Sequence, residues 1–351
     1  MFTVAVVGCG QIATHKYIPI LQKLGSRVKV VGVCDLNEDI VNQVAQRLGL
    51  PKAYTSVSDL LAEQHPDIVI VLTPPRVHAD VVTAALACGA HVLVEKPMAA
   101  NVADCDKMNA AATQHNRKLC VMHSQLFHPP LDQVRREVMK GQYGRFLGMR
   151  IFLGVGRYNW VAERDHWAHR LRGGVVGEAG PHAVYLSLAF LENVREVQVR
   201  MAKHYPENTW LIGDDIRFDL IADNGISSVV LDFGSNQTTA EVDVICSEQL
   251  LRVDLQSRTV VKHSRPCTDL SASGISKSVL GEAYQRVGGL AGNALRYYSS
   301  RKLDGHYAGM VQFLDYVAGE SDFPSTGENG RQTVAVLDQV VEQLEELRTH
   351  L

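Results

Sequence analysis

The stretch Thr3-Val4-Ala5-Val6-Val7-Gly8-Cys9-Gly10-Gln11-Ile12-Ala13 decides the fold. Residues 3–7 are a short apolar, β-branched run closed by a glycine, which reads as a buried strand. Gly8, Gly10 and Ala13 then form G-x-G-x-x-A, an accepted form of the dinucleotide-binding turn. Gly8 allows the tight turn, Gly10 lets the backbone approach a pyrophosphate, and Ala13 keeps the next helix close to the strand. Gln11 and Ile12 open that helix. The free N–H groups at its start, aided by the helix dipole, favour phosphate charge. A glycine string alone is a weak signal; its place between a strand and a helix gives it weight.

The pattern continues outward from this turn. Residues 12–24 are helical in spacing, 28–34 (VKVVGVC) strand-like and 38–48 helical. Then come DIVIVL (67–72), a helix over 76–88, HVLVEK (91–96), a helix over 102–115 and KLCVM (118–122). Apolar strands alternating with helices predict an α/β fold, a parallel sheet covered on both faces. Right-handed crossovers make it a doubly wound Rossmann domain, over 1–123. Asp35 closes the second strand 22 residues after Ala13, where a carboxylate accepts from adenosine ribose hydroxyls. It would repel a 2′-phosphate, and Leu36 and Asn37 bring no cation. The expected cofactor is NAD rather than NADP.

Composition bounds the alternatives. A chain of 351 residues suggests two domains. Lys plus Arg number 35 against 38 Asp plus Glu, a net charge of −3, so no basic footprint for nucleic acid is present. Seven cysteines, with no C-x-x-C pair, argue for reduced thiols and against structural zinc. The apolar runs are too short for a membrane span, and the N-terminus reads as a strand, not a signal peptide. The expectation is a cytoplasmic enzyme with a small-molecule substrate and no membrane partner.

Two further strand ends carry unusual residues: Thr73-Pro74-Pro75 with His78, and Glu95-Lys96-Pro97. Ligands of such sheets bind outside the carboxyl ends of the strands. With the glycine turn, these motifs resemble the glucose–fructose oxidoreductase, inositol dehydrogenase and rhizopine-catabolism family, Gfo/Idh/MocA. The resemblance implies that Lys96 lies between nicotinamide and substrate, and that Glu95 helps to position the cofactor. Thr73, Pro74 and His78 would face the cofactor cleft. A desolvated ammonium at Lys96 can bond the reacting oxygen and stabilise alkoxide charge.

Beyond Met122 the texture changes. Residues 145–155, 216–222, 226–233, 240–245 and 251–255 alternate with period two, with Asn224-Gly225 as a hairpin signal. They predict a large, mainly antiparallel sheet in an α+β domain over 124–351. The resemblance makes this the substrate domain and its sheet a surface for a homodimer or homotetramer.

Within it, 173–185 resembles the family's glycine-rich turn followed by D-x-x-x-H-x-x-D. His182 falls on the family histidine, Glu178 replaces the first Asp and Tyr185 the second. Trp167 falls near an aromatic often found upstream, and the resemblance makes Trp167, His182 and Tyr185 expected substrate contacts together with Lys96. Histidine suits proton exchange because its pKa lies near neutrality, and Glu178 could orient it. A helix is expected over 181–191, with Pro181 in its first turn. His123, at the crossover, is a candidate substrate or cofactor contact.

Asp165-His166-Trp167-Ala168-His169 reads as a polar loop rather than a metal site. Arg157, Arg164, Arg170 and Arg172 around it could recognise an anion. Residues 264–303 read as an irregular, Ser- and Gly-rich insertion. Helices follow over 306–319 and 329–348. The resemblance implies NAD(H)-linked hydride transfer at a secondary hydroxyl or ketone of a sugar, sugar derivative or cyclitol. A redox-neutral relative that cleaves or epimerises glycosides, or a non-catalytic NAD-binding regulator, remain as alternatives.

Overall fold

The computed structural model describes residues 1–263, 271–300 and 305–348, with side chains of 296–300 aside. It divides into two compact units: Met1–Ser124 with Gly309–Ala335, and Gln125–Ala308 with Val336–Leu351.

The first unit holds a five-stranded, all-parallel sheet. Its elements are β1 (Phe2–Val7), α1 (Ile18–Lys23), β2 (Val28–Cys34), α2 (Glu38–Leu48), α3 (Val57–Gln64) and β3 (Ile68–Val71). α4 (His78–Ala87), β4 (His91–Glu95), α5 (Val102–Gln114) and β5 (Leu119–Met122) complete the alternation. Strand order is β2-β1-β3-β4-β5, so the chain reverses direction across the sheet between β1 and β3. A ligand crevice forms outside the carboxyl ends of the strands at such a switch point.

Strands β3 and β5 are buried at every position, which is why they read as continuous apolar runs. Each fully buried valine or leucine there contributes roughly 1.5–3 kcal/mol relative to exposure. Side-chain caps fix the helix starts. Asn37 accepts from Ile40 N–H, Ser56 from Asp59 N–H and Asn101 from Asp104 N–H. Gly32 interrupts β2 because a β-carbon there would lie 2.3 Å from Leu60 Cδ1, so its absence lets α3 pack on the strand.

The second unit opens with α6 (Pro129–Met139), β6 (Phe146–Gly154) and α7 (Val175–Leu188). β7 (Val194–Ala202), β8 (Asp215–Ala222), β9 (Gly225–Asp232), β10 (Thr239–Cys246), β11 (Leu250–Asp254), β12 (Thr259–His263) and α8 (Ala272–Ser300) follow. Its seven-stranded sheet has the order β12-β11-β10-β6-β9-β8-β7 and is antiparallel except where β6 meets β9. The turn between β8 and β9 is Asp223-Asn224, one residue before the expected pair, and Gly225 already opposes Ala222.

Three expectations change. Residues 272–300, expected to be irregular, form one long helix; Ser and Gly lower helix propensity without abolishing it. Residues 264–270 and 301–303 of that stretch lie outside the described residues, as does Cys267. α7 begins six residues before Pro181, which therefore sits inside the helix. The carbonyl four residues before it, Gly177 O, loses the hydrogen bond that Pro181 has no N–H to donate.

Finally, α9 (Gly305–Ala318) and α10 (Gly327–Arg348) were expected wholly in the second domain. Residues Gly309–Ala335 group with the first unit instead. There Val121 N–H donates to Ser325 O at 2.9 Å, and Arg27 pairs with Asp315 at 2.7 Å.

Candidate active site

In the first unit the sequence motifs meet at the strand ends. Gly8 has φ +98°, and a β-carbon there would lie 2.7 Å from the backbone of Leu72. Only glycine fits, so the β1 turn presses against the end of β3. At Gly10 a β-carbon would meet nothing within 4 Å, leaving the turn open on that side. Gln11 and Ile12 lead into a π-helical turn, Ala13–Tyr17, with Ala13 fully buried.

Asp35 ties the second strand end to this turn. Its Oδ2 accepts from Cys9 N–H at 2.7 Å and its Oδ1 from Asn37 N–H at 2.9 Å. An ionised carboxylate retains further acceptor sites after two bonds. At the end of β3, Thr73 Oγ1 is buried and has no hydrogen-bond partner among the described residues. A buried hydroxyl left so is a place for a ligand atom. An open glycine turn, a fixed carboxylate and an unsatisfied hydroxyl fit a dinucleotide. Pro74 caps the 3-10 turn Pro75–Val77.

His78 is fully enclosed. Its ring lies between two carbonyls, Met98 O at 3.0 Å from Nδ1 and Thr73 O at 2.6 Å from Nε2. Burial lowers its pKa against the pull of those carbonyls. It braces the Thr73 turn rather than lining a cleft, as the sequence reading expected it to.

Glu95 is buried, with Oε1 accepting from Tyr17 O–H at 2.6 Å and Oε2 from Lys96 N–H at 3.0 Å. Lys96 follows at the end of β4, half-buried, before a cis Pro97. Tyr17 escaped the sequence reading; a tyrosine on an otherwise apolar helix face was its only signal.

His123 is buried, with Nδ1 at 2.7 Å from Ser325 Oγ. Burial pushes its pKa down to about 3; Glu95 acts to raise it and Lys96 to lower it. The folded ring is neutral, whereas the unfolded one titrates near 6.5. Between those values the unfolded chain binds more protons. This stabilising contribution is whole above 6.5 and is lost as pH falls toward 3. From pH 7 to pH 5 the loss is about 2 kcal/mol. Urea titrations at both pH values should show it, and His123→Gln should shrink the difference. An identical pH dependence in the variant would contradict the assignment.

The second unit brings Glu178 and His182 onto one face of α7, one turn apart, lining a single cavity of about 350 Å³. Gln125, His128, Trp160, Thr239 and Gln256 are among its other walls. That volume suits a small ligand. His182 Nδ1 lies 2.6 Å from Tyr185 Oη, which also accepts from Gln125 N–H at 3.2 Å.

Tyr185, expected to touch substrate, is instead buried behind the imidazole. Trp167 is 54% exposed and does not line the cavity; Trp160 does. His166 and His169 flank the Trp160 ring at centroid distances of 5.1 and 6.2 Å. Among the described residues no group of three or more His, Cys, Asp or Glu could hold a metal ion.

Two buried acceptors at the cavity, Gln125 Oε1 and Thr239 Oγ1, have no partner among the described residues. Glu178 is the only acidic residue of the lining, and no Lys or Arg joins it. Two of the four arginines expected to recognise an anion are engaged elsewhere. Arg157 stacks on Tyr158 and Tyr205, and Arg172 bonds Asp338 at 3.0 Å.

Comparison with known proteins follows the same division. Residues 2–123 match the model of an oxidoreductase family described by its NAD-binding Rossmann fold. A 1-carboxy-3-chloro-3,4-dihydroxycyclohexa-1,5-diene dehydrogenase of Comamonas testosteroni is 32% identical over 142 residues, 40% of this chain and 35% of that protein. A myo-inositol 2-dehydrogenase of Thermotoga maritima is 26% identical over 148 residues, 42% of this chain and 44% of that protein. The matched stretch thus spans less than half of either relative.

The fold is shared more widely. The WlbA dehydrogenase of Bordetella pertussis, solved with NADH and UDP-GlcNAcA, superposes with a TM-score of 0.74 at 18% identity. The match covers 98% of this chain and 96% of that one. No helix among the described residues is long and apolar enough to cross a membrane.

Proposed function

Residues 2–123 of this chain belong to the Gfo/Idh/MocA oxidoreductases, whose Rossmann domain binds NAD, and from that premise we propose an NAD(H)-dependent dehydrogenase. It acts between a secondary hydroxyl and the matching ketone of a sugar, sugar derivative or cyclitol. The observation that carries this reading is the cavity under α7. It combines a histidine held through Nδ1, a carboxylate one turn away, and two unsatisfied neutral acceptors. Hydroxyl groups are the ligand atoms that satisfy such acceptors.

NAD, when bound, supplies the acceptor for the hydride that leaves the carbinol carbon. The chain's residues do the rest. Gly8, Gly10 and the start of the first helix receive the pyrophosphate, and Asp35 accepts from the ribose. Lys96 bonds the reacting oxygen and offsets its developing negative charge. His182, turned by Tyr185, takes the hydroxyl proton at Nε2, and Glu178 stabilises the imidazolium that results. In the reverse direction the same proton returns to the alkoxide.

With no cation in its lining, the cavity seats a neutral, hydroxyl-bearing part of the substrate. The test is absorbance of NADH, with purified protein, NAD and a panel of sugars, sugar acids, nucleotide sugars and cyclitols. Reduction of NAD by at least one polyol is expected. A panel in which NAD binds, yet neither NADH nor a ketone forms, would overturn the reading.

A further inference from the structure

Helix α8 turns its polar face to the protein and its apolar face to solvent. Ser278, Glu282, Gln285, Gly289 and Asn293 recur at helical spacing and lie toward β12. Gln285 Oε1 accepts from Lys262 N–H at 2.9 Å, and its Nε2 donates to Lys262 O at 3.0 Å. Asn293 Nδ2 donates to Ser257 O and Arg258 O at 2.9 and 2.8 Å. Glu282 Oε1 lies 3.0 Å from His263 Nδ1.

Side-chain amides thus occupy the outer side of β12 at Lys262 and of the turn before it at Ser257 and Arg258. The opposite outer strand, β7, is treated alike: Gln343 accepts from Val199 N–H at 3.0 Å and donates to Val197 O at 2.7 Å. Amides on both outer strands guard the sheet against strand addition.

On the outward side of α8, Val279, Leu280, Tyr284, Val287, Leu290 and Leu295 are exposed. Tyr284 is 80% exposed, Leu295 73% and Leu280 70%. A contiguous apolar patch of this kind marks an interaction surface. We propose that two copies of the chain pair through this face, α8 against α8 in antiparallel order, about a two-fold axis at Val287 and Gly288. This contact is separate from the sheet surface that the sequence analysis expected to form oligomers.

Three features favour a second copy. The stripe is self-complementary, as a two-fold interface requires. In that register Tyr284 faces Ala291 of its copy and Val287 faces Gly288, large side chains against small ones, while Leu280 packs on Leu295. β-Carbons at Gly288 and Gly292 would meet nothing within 4 Å, which leaves a notch for the tyrosine ring.

The area is adequate. A helix of 29 residues is about 43 Å long. Its exposed apolar side chains offer an area on the order of the 800 Å² per partner that stable interfaces bury. Charge is sparse along the stripe: between residues 278 and 295 only Glu282, which faces β12, and Arg286 are charged, with Lys277 and Arg296 at its ends.

Light scattering of the full chain at micromolar concentration tests the pairing. Leu280→Glu with Val287→Glu should halve the particle mass while leaving the circular dichroism unchanged. Because a charged pair could also disturb folding, a second variant reads the axis directly. Gly288→Cys should give a disulfide-linked dimer on mild oxidation, and the wild type, whose exposed thiol among the described residues is Cys88, should not. A wild-type monomer, or equal masses for wild type and double variant, would overturn the proposal. So would a monomer that sediments with phosphatidylcholine–phosphatidylglycerol vesicles only when the stripe is intact, which would name a membrane as the occupant.

Discussion

Lys96→Ala should lower kcat by about 10²–10³-fold, the loss seen when one preorganised donor to a developing oxyanion is removed. Lys96 ends β4, next to a strand-end glutamate whose two oxygens are taken by Tyr17 and by the Lys96 backbone N–H. The glutamate therefore fixes the main chain at Lys96. In the proposed mechanism the glycine turn and Asp35 hold the dinucleotide separately, so NAD affinity should stay within about tenfold, or 1.4 kcal/mol. Steady-state kinetics with titration of NADH fluorescence separate the two quantities. Full activity in the variant would sink the role of Lys96. Equal losses of affinity and turnover would make it a cofactor-binding residue instead.

His182→Asn should cost about 10²–10⁴-fold in kcat, the usual worth of a positioned general base. The sign of the pH dependence follows from the chemistry. Oxidation needs a neutral imidazole, so wild-type kcat/KM should rise with pH through one ionisation, and the variant should lose that limb. Tyr185→Phe gives the companion result. It removes the hydroxyl 2.6 Å from Nδ1 without emptying the buried ring site. Turnover should fall by about tenfold, the kinetic equivalent of one hydrogen bond of some 1.4 kcal/mol, with KM little changed. A Tyr185→Phe effect confined to KM would return Tyr185 to the substrate contact that its sequence position first suggested.

The first unit was the more legible in sequence because its signals are local. Strands buried on both faces are continuous apolar runs, and each motif residue lies at a strand end. The helix over 57–64 escaped notice because only Ser56 and eight residues announce it. In the second unit, β7 and β12 were missed: they are outer strands with irregular alternation, closed by distant glutamines rather than by neighbouring strands.

Helix α8 reads as irregular in sequence because serine and glycine interrupt it, and because its apolar stripe faces solvent rather than a core. Motif and spacing single out His182 and Glu178, which line one cavity. Spacing could not show that Tyr185 turns back to the histidine, that Trp160 rather than Trp167 reaches the cavity, or that Ser325 meets His123 across 202 residues. These contacts depend on tertiary packing, which periodicity does not record.

The most direct measurement of the central claim follows the hydrogen itself. A polyol that reduces NAD in the panel would be prepared with deuterium at the carbinol carbon, and the NADH formed would be analysed by mass spectrometry. The account predicts one deuterium on the nicotinamide ring for each ketone produced. Ketone formed with the label released to water, and none on the nicotinamide, would contradict it.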